Sequence, residues 1–192
     1  MNIKRPKSKQ PIPNNAQRAF KGVLFDVYQW KQKMFNGSFA PYERLKRPDV
    51  VNILPIIENK ILLTEEEQPG TGVFLASAGG RIDPEELPLA AAKRELLEET
   101  GYEAANWFLW DAVQPVAKID YAVYTFIAKE CTKISKQDLD PGEKIKLRFY
   151  NFDDFLKVVL QKNFWDLELS LKVARIKDSP KKLKEMKELF LE

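Results

Sequence analysis

The sequence predicts an α/β fold, because strand-like and helical segments both recur along its 192 residues. Apolar residues alternate or run together in stretches of about four to eight residues, bounded by Asn, Gly and Pro, as in strands. One longer segment, residues 85–100, instead has apolar residues at helical spacing on both sides of an acidic stripe. With 44% hydrophobic residues, the chain can form one well-packed domain with an extension.

The pattern predicts the following elements in chain order. Strands are expected within residues 22–47, around a turn at Asn36-Gly37-Ser38, and then at residues 49–57, 61–64 and 73–76. The acidic helix follows at residues 85–100, with Pro84 in its first turn and Gly101 ending it. Two strands at residues 107–113 and 117–129, a strand at 144–150 and helices at 153–161, 166–176 and 179–191 complete the prediction.

This pattern divides the chain into four parts. Residues 1–20 are polar, lysine-rich and contain prolines, which predicts a flexible basic tail. Residues 21–48 form a strand extension, residues 49–162 the main domain, and residues 163–192 a helical extension. The formal net charge is +3, and we interpret the basic tail and the basic C-terminal helix as solvated surfaces, so a nucleic-acid partner is not expected.

The composition excludes several classes of protein. The chain has no histidine, which excludes Ser-His-Asp and Cys-His catalysis and any histidine-based zinc site. Its single cysteine, Cys131, cannot form an internal disulfide and is interpreted as a strand residue. No apolar run is long enough to cross a membrane and no cleavable signal pattern opens the chain, so we expect a cytoplasmic protein.

The acidic helix carries the strongest chemical signal. Glu95, Glu98 and Glu99 stand at i, i+3 and i+4, so their carboxylates share one helical face. Like charges at this spacing repel each other, and a bound divalent cation would reverse that repulsion. Because the ligands are all oxygens, this face predicts a hard cation, Mg²⁺ or Mn²⁺.

The same residues belong to a longer motif. Gly80 is followed after five residues by Glu86, and after seven more by Arg-Glu-Leu-Leu-Glu-Glu-Thr-Gly-Tyr at residues 94–102. This resembles the Nudix box, Gly-x5-Glu-x7-Arg-Glu-U-x-Glu-Glu-x-Gly-U with U aliphatic, and Tyr102 at the last position is the only departure. The resemblance implies a Nudix hydrolase domain at residues 49–162. It also implies a mixed β-sheet sandwiched between helices, preceded by an N-terminal antiparallel strand extension.

The resemblance also implies roles for individual residues. Glu95, Glu99 and the carbonyl of Gly79 would be direct metal ligands, and Glu98 would be a further catalytic ligand, bound to the metal directly or through water. Arg94 would brace Glu95, while Glu143, in a loop similar to the family's Gly-Glu loop, would orient or deprotonate the attacking water. Gly80, Glu86 and Gly101 would have structural roles in the motif.

Residues 42–47, Tyr-Glu-Arg-Leu-Lys-Arg, look like a segment of ADP-ribose pyrophosphatases. The resemblance implies that Tyr42 stacks on adenine, Glu43 binds its amino edge and Arg47 contacts the nucleotide, at a site shared by the subunits of a homodimer. One departure is Glu67-Gln68-Pro69-Gly70, which lacks the phosphate-binding arginine of that family's Gln-aromatic-Arg-Pro.

The expected reaction is metal-dependent hydrolysis of the pyrophosphate bond of a nucleoside diphosphate linked to another moiety, ADP-ribose or an NDP-sugar. The products would be a nucleoside monophosphate and a sugar phosphate. The alternatives are a Nudix hydrolase of (d)NTPs or of capped RNA, and a nucleotide-sensing Nudix module without turnover.

Overall fold

The computed structural model describes residues 3–191. In this part of the chain the elements are β1 (Gln17–Lys21), β2 (Asp26–Lys33), β3 (Phe39–Lys46), β4 (Val50–Ile57), β5 (Lys60–Glu67), β6 (Phe74–Ala76), β7 (Ala78–Arg81), α1 (Pro88–Thr100), β8 (Tyr102–Val113), β9 (Ile119–Asp120), β10 (Val123–Lys133), β11 (Lys144–Tyr150), α2 (Phe152–Val158), α3 (Leu167–Ile176) and α4 (Pro180–Leu191).

The main sheet is mixed. Its strands run in the order β11-β5-β4-β10-β8, with β6 paired to β5 and β7 paired to β4. Strands β4 and β10 are parallel, whereas β10 and β8 are antiparallel. The short strand β7 pairs with β4 from Val50 to Ile53, which brings Gly79 and Gly80 to the centre of the sheet.

Helices cover both faces of this sheet, because β4 is apolar on both sides. Val51 and Ile53 lie in a core cluster with Ala91, Ala92 and Leu96 of α1. Leu54 and Ile56, on the other face, lie in a second cluster with residues of α2, α3 and α4 that include Phe155, Val173 and Phe190. The predicted α/β class and the sandwich of sheet and helices are confirmed.

The N-terminal extension is a separate four-stranded sheet in the order β1-β2-β3-β9. Strands β1 to β3 are antiparallel, as predicted, and β9 joins β3 in parallel. Strand β1 includes residues 17–20, so the structure differs here from the predicted flexible tail. Arg5, also in that segment, forms ion pairs with Asp49 at 2.8 Å and Asp120 at 3.1 Å, which attach it to the main domain.

The acidic helix begins later than predicted. Pro88, not Pro84, occupies the first turn of α1, after Leu87 as the N-cap. Glu85 has a φ of 67°, which is incompatible with a helix, and the Glu86 amide donates to the Asp83 carbonyl across a turn. The helix ends as predicted, because Gly101 has a φ of 70° and its amide donates to the carbonyl of Leu97.

The strands after α1 also differ in extent from the prediction. Strand β8 begins directly after the helix, and β10 runs to Lys133, so Cys131 lies within a strand. The predicted strand at residues 117–129 is divided, because β9 pairs in the N-terminal sheet and β10 in the main sheet. No helix among residues 3–191 is long and apolar enough to span a membrane.

Candidate active site

The acidic face of α1 forms one wall of a cavity of about 480 Å³, which we call the acidic cleft. Arg81 and Arg94 are the basic residues in its lining. The acidic residues in the lining are Glu66, Asp83, Glu95, Glu98, Glu99, Asp138, Asp140 and Glu143. The structure therefore brings together all the predicted metal-ligand side chains and Glu143, in a cleft with a large excess of negative charge.

Arg94 organises the outer part of this cleft. Its Nη1 donates to Glu95 at 2.8 Å and to Glu98 at 3.0 Å. Its Nε and Nη2 donate to the carboxylate of Glu86, and Nη2 also donates to the Arg81 carbonyl. The hydrogen bonds from Arg94 lower the pKa of Glu86. The ion pair of Arg94 with Glu95 is present as predicted, and Glu86 lies at the junction between loop and helix.

Two glycines allow the carboxylates to approach the sheet closely. A Cβ on Gly80 would lie 2.4 Å from Oε1 of Glu95, and a Cβ on Gly79 would lie 2.0 Å from the carbonyl oxygen of Val51. The amide of Gly79, where φ is 149°, donates to Oε2 of Glu99 at 2.8 Å. Glycine at position 79 therefore allows β7 to lie close to β4, and glycine at position 80 leaves room for the carboxylate of Glu95.

The inner carboxylates are desolvated. Glu99 is 5% exposed, and burial, followed by repulsion from Glu66, raises its pKa well above the usual value. Burial is also the main cause of the raised pKa values of Glu95 and Glu143. The repulsion among these groups favours a bound cation or proton.

Glu66 is a cleft residue that the sequence interpretation missed. It is 8% exposed, and burial, with repulsion from Asp166 and Glu143, raises its pKa to about 7. The alternation of side chains along a strand could have identified it, because the side chains of Glu65 and Glu67 must point to the opposite face of the sheet from that of Glu66. On that opposite face they form ion pairs with residues of the neighbouring strand β11: Glu65 with Arg148 and Glu67 with Lys144.

The chemistry of this donor set fits a hard divalent cation, since the cleft supplies many carboxylate oxygens and few positive charges. Within residues 3–191, no three His, Cys, Asp or Glu side chains are already in position around a common metal site. In this arrangement Glu95 and Glu98 accept hydrogen bonds from Arg94, and Glu99 accepts one from Gly79.

A second cavity, of about 270 Å³, adjoins the acidic cleft, and we call it the Arg47 cavity. Glu66, Gln68, Gly79 and Gly80 line both cavities. The guanidinium of Arg47 lies 5.0 Å from the ring centre of Tyr121, and its buried Nε has no hydrogen-bond partner among the described residues. Further residues of this lining are Asn52, Phe74, Ser77, Trp165, Asp166 and Glu168.

Tyr42 and Glu43 are not brought to the acidic cleft within one chain. They line a different cavity of about 390 Å³, which shares none of its lining residues with the cleft. The Tyr42 ring lies 5.1 Å from the ring centre of Trp30 and 4.4 Å from Nζ of Lys118, and Glu43 accepts a hydrogen bond from Gln29. Of the three predicted substrate-binding residues, Arg47 is the one beside the cleft.

A comparison with protein families shows which family has this fold and this acidic helix. The family model of the NUDIX domain matches residues 46–171, which is more than half of the chain. The chain belongs to the Nudix family. The Nudix box predicted from the sequence therefore corresponds to β7, the following turn and α1 of a Nudix fold.

Several relatives match this chain. The ADP-ribose pyrophosphatase of Bacillus subtilis (strain 168) is 28% identical over 154 residues, covering 78% of this chain and 83% of that protein. The methanol dehydrogenase activator of Bacillus methanolicus is 29% identical over 156 residues, covering 79% and 84%. ADP compounds hydrolase NudE of Escherichia coli (strain K12) is 34% identical over 98 residues, covering 50% and 53%. The predicted resemblance to ADP-ribose pyrophosphatases is confirmed.

The fold is also similar to that of a solved structure. The crystal structure of an ADP compounds hydrolase superposes with a TM-score of 0.71, covering 91% of this chain and 98% of that chain. At 23% identity this similarity establishes the shared fold.

Proposed function

We propose that this Nudix protein hydrolyses the pyrophosphate bond of ADP-ribose or an NDP-sugar, yielding a nucleoside monophosphate and a sugar phosphate. The observation that carries the proposal is the junction of the acidic cleft with the Arg47 cavity. A diphosphate bound at the cleft has adjacent space for an attached group, beside the guanidinium of Arg47. Relatives named as an ADP-ribose pyrophosphatase and an ADP compounds hydrolase support this substrate class.

Glu95, Glu98 and Glu99, with the carbonyl of Gly79, would hold Mg²⁺ or Mn²⁺. When bound, this cation would neutralise charge on the phosphate oxygens and favour the ionised form of a water molecule. The cation requires carboxylates that are already oriented, and Arg94 provides that orientation through its contacts with Glu95 and Glu98.

We assign the protein's own acid–base step to Glu143, which lines the acidic cleft together with the glutamates of α1. Its carboxylate takes a proton from the attacking water as the water oxygen bonds to phosphorus and the bridging P–O bond breaks. The electron pair of that bond leaves on the departing phosphate. Arg47 binds the nucleotide part of the substrate from the adjoining cavity.

A turnover screen tests the proposal. Purified protein is assayed with ADP-ribose, NDP-sugars, dinucleoside polyphosphates and NTPs, with Mg²⁺ and with Mn²⁺, and the products are identified by chromatography. We expect a nucleoside monophosphate and a sugar phosphate from ADP-ribose or an NDP-sugar. Turnover of NTPs alone, or of none of these compounds with either metal, would contradict the proposal.

We also propose a homodimer in which the N-terminal sheet serves the partner's site. Tyr42 and Glu43 lie in a cavity apart from the cleft of their own chain, so they could contact substrate only in another subunit. Phe20 and Phe39 of the same sheet are 60% and 64% exposed, so apolar side chains of this sheet are available to a second copy. Light scattering should give twice the monomer mass; a monomeric, fully active protein would contradict this model.

A further inference from the structure

An exposed aromatic side chain lines the Arg47 cavity. Trp165 stacks on Phe74 with ring centres 3.6 Å apart and an interplanar angle of 6°. Phe74 is buried, whereas Trp165 remains 50% exposed. One face of the indole therefore covers Phe74, while the ring retains a large exposed surface at the cavity.

Trp165 is held rigidly although it lies in a loop before α3. Its amide donates to the carbonyl of Leu75 at 2.9 Å, and the amide of Leu75 donates to the carbonyl of Asn163 at 2.9 Å. The next residue, Asp166, accepts hydrogen bonds from the amide of Ser77 at 2.6 Å and from its hydroxyl at 2.8 Å. These contacts join the C-terminal segment to the chain that leads into β7, so Trp165 is fixed relative to Gly79 and Gly80.

Other groups in the same cavity suit a planar polar ligand. The side chains of Asn52 and Gln68 are amides, which can both donate and accept hydrogen bonds. Arg47 places its guanidinium against Tyr121, so a cation lines the same cavity as the tryptophan. A nucleobase offers both a π-face, which stacks on an aromatic ring, and polar edges that can pair with these amides.

We propose that Trp165 is the stacking surface for the nucleobase of the substrate, within the same chain as the acidic cleft. This inference rests on the proposed function and assigns the base end of the substrate to the Arg47 cavity. The C-terminal segment is then part of the specificity site, with Trp165 contacting the base and Asp166 positioning Trp165 against the Nudix box.

The test compares wild type with three variants at this position. Trp165→Phe keeps an aromatic face, Trp165→Leu keeps an apolar cover on Phe74 without that face, and Trp165→Ala removes both. We expect Trp165→Leu and Trp165→Ala to raise KM roughly tenfold with kcat within about threefold, because stacking contributes to binding. Trp165→Phe should change KM by less than about threefold. Phe108→Ala, an exposed aromatic on β8 outside this cavity, is the matched control and should leave KM unchanged.

Product binding shows which end of the substrate contacts Trp165. Calorimetry with AMP should show roughly tenfold weaker binding to Trp165→Leu, whereas binding of ribose 5-phosphate should be unchanged. Weakened binding of ribose 5-phosphate with unchanged AMP binding would overturn the assignment, and so would equal AMP binding by all variants. The two proposals can fail separately. If no compound is turned over in the screen but AMP still binds in a way that depends on Trp165, the proposed function is contradicted and the base site is supported.

Discussion

Glu66 provides a measurable consequence of placing carboxylates in a desolvated cleft. Its side chain is buried and its Oε1 accepts a hydrogen bond from the hydroxyl of Thr64 at 2.5 Å. Burial raises its pKa from the ordinary value of 4.5 to about 7. We expect Glu66→Gln to stabilise the metal-free protein, because glutamine keeps the size and the acceptor for Thr64 but removes the charge.

The sign and size follow from proton linkage. A carboxyl group with a raised pKa binds protons more tightly in the folded state, so its ionisation destabilises the fold as pH rises above the unfolded value. Because one pKa unit corresponds to about 1.4 kcal/mol, a rise from 4.5 to about 7 corresponds to roughly 3 kcal/mol at pH 8. At pH 5, where the group is protonated in the folded state, the difference falls to about 1 kcal/mol.

Urea unfolding of wild type and Glu66→Gln at pH 5 and pH 8, with a chelator present, measures this difference. Glu67→Gln is the matched control on the same strand, because the side chain of Glu67 is 45% exposed and pairs with Lys144 at 3.3 Å. The control should change the free energy of unfolding by less than about 1 kcal/mol at both pH values. If Glu66→Gln has the same effect at pH 5 and pH 8, or destabilises the protein at pH 8, the assignment of Glu66 as a desolvated carboxylate is wrong.

Three further variants test the cleft itself. Glu99→Gln should lower kcat by about two orders of magnitude or more and leave the circular dichroism spectrum unchanged. Glu103→Gln, on the exposed part of β8, is the control. Wild-type turnover by Glu99→Gln would contradict the role of Glu99. Glu143→Gln should lower kcat and change KM far less in steady-state assays, since Glu143 acts in the chemical step. A kcat within about threefold of wild type would show that Glu143 has no role in that step. Gly80→Ala should displace the carboxylate of Glu95, whose Oε1 would otherwise lie 2.4 Å from the new Cβ. We therefore expect lower activity and, in a titration, weaker metal binding. Normal metal affinity would exclude that displacement.

The acidic half of the site was predictable because its geometry is local. Three glutamates at i, i+3 and i+4 of one helix must share a face, wherever the helix is placed. The motif spacing also predicted Gly80 beside that face, and in the structure a Cβ at position 80 would collide with the carboxylate of Glu95. The start of the helix was predicted too early, because Pro84 and Pro88 both suit a first turn. The positive φ of Glu85 distinguishes between them only in the folded chain.

The other half of the site depends on contacts between distant parts of the chain. Ser77 and Asp166 are separated by 89 positions, and no local pattern in either segment predicts that they meet. Trp165 likewise precedes an ordinary amphipathic helix, and its stacking on Phe74 follows from how α3 packs on the sheet. Tyr42 lies on a different sheet from the main sheet that forms the cleft, so its predicted contact with the base requires a second subunit and stays a prediction.

This division has a consequence for how the protein distinguishes its substrates. The groups assigned to the reaction are on β7, α1 and the loop before β11, whereas other walls of the Arg47 cavity come from β4, β6 and the C-terminal segment. The two sets of residues meet at Glu66, Gln68, Gly79 and Gly80, which line both cavities. Changes at Trp165 can therefore alter the preferred base without moving the acidic face of α1. Changes at Gly80 must affect hydrolysis of every substrate, because the carboxylate of Glu95 lies directly against it.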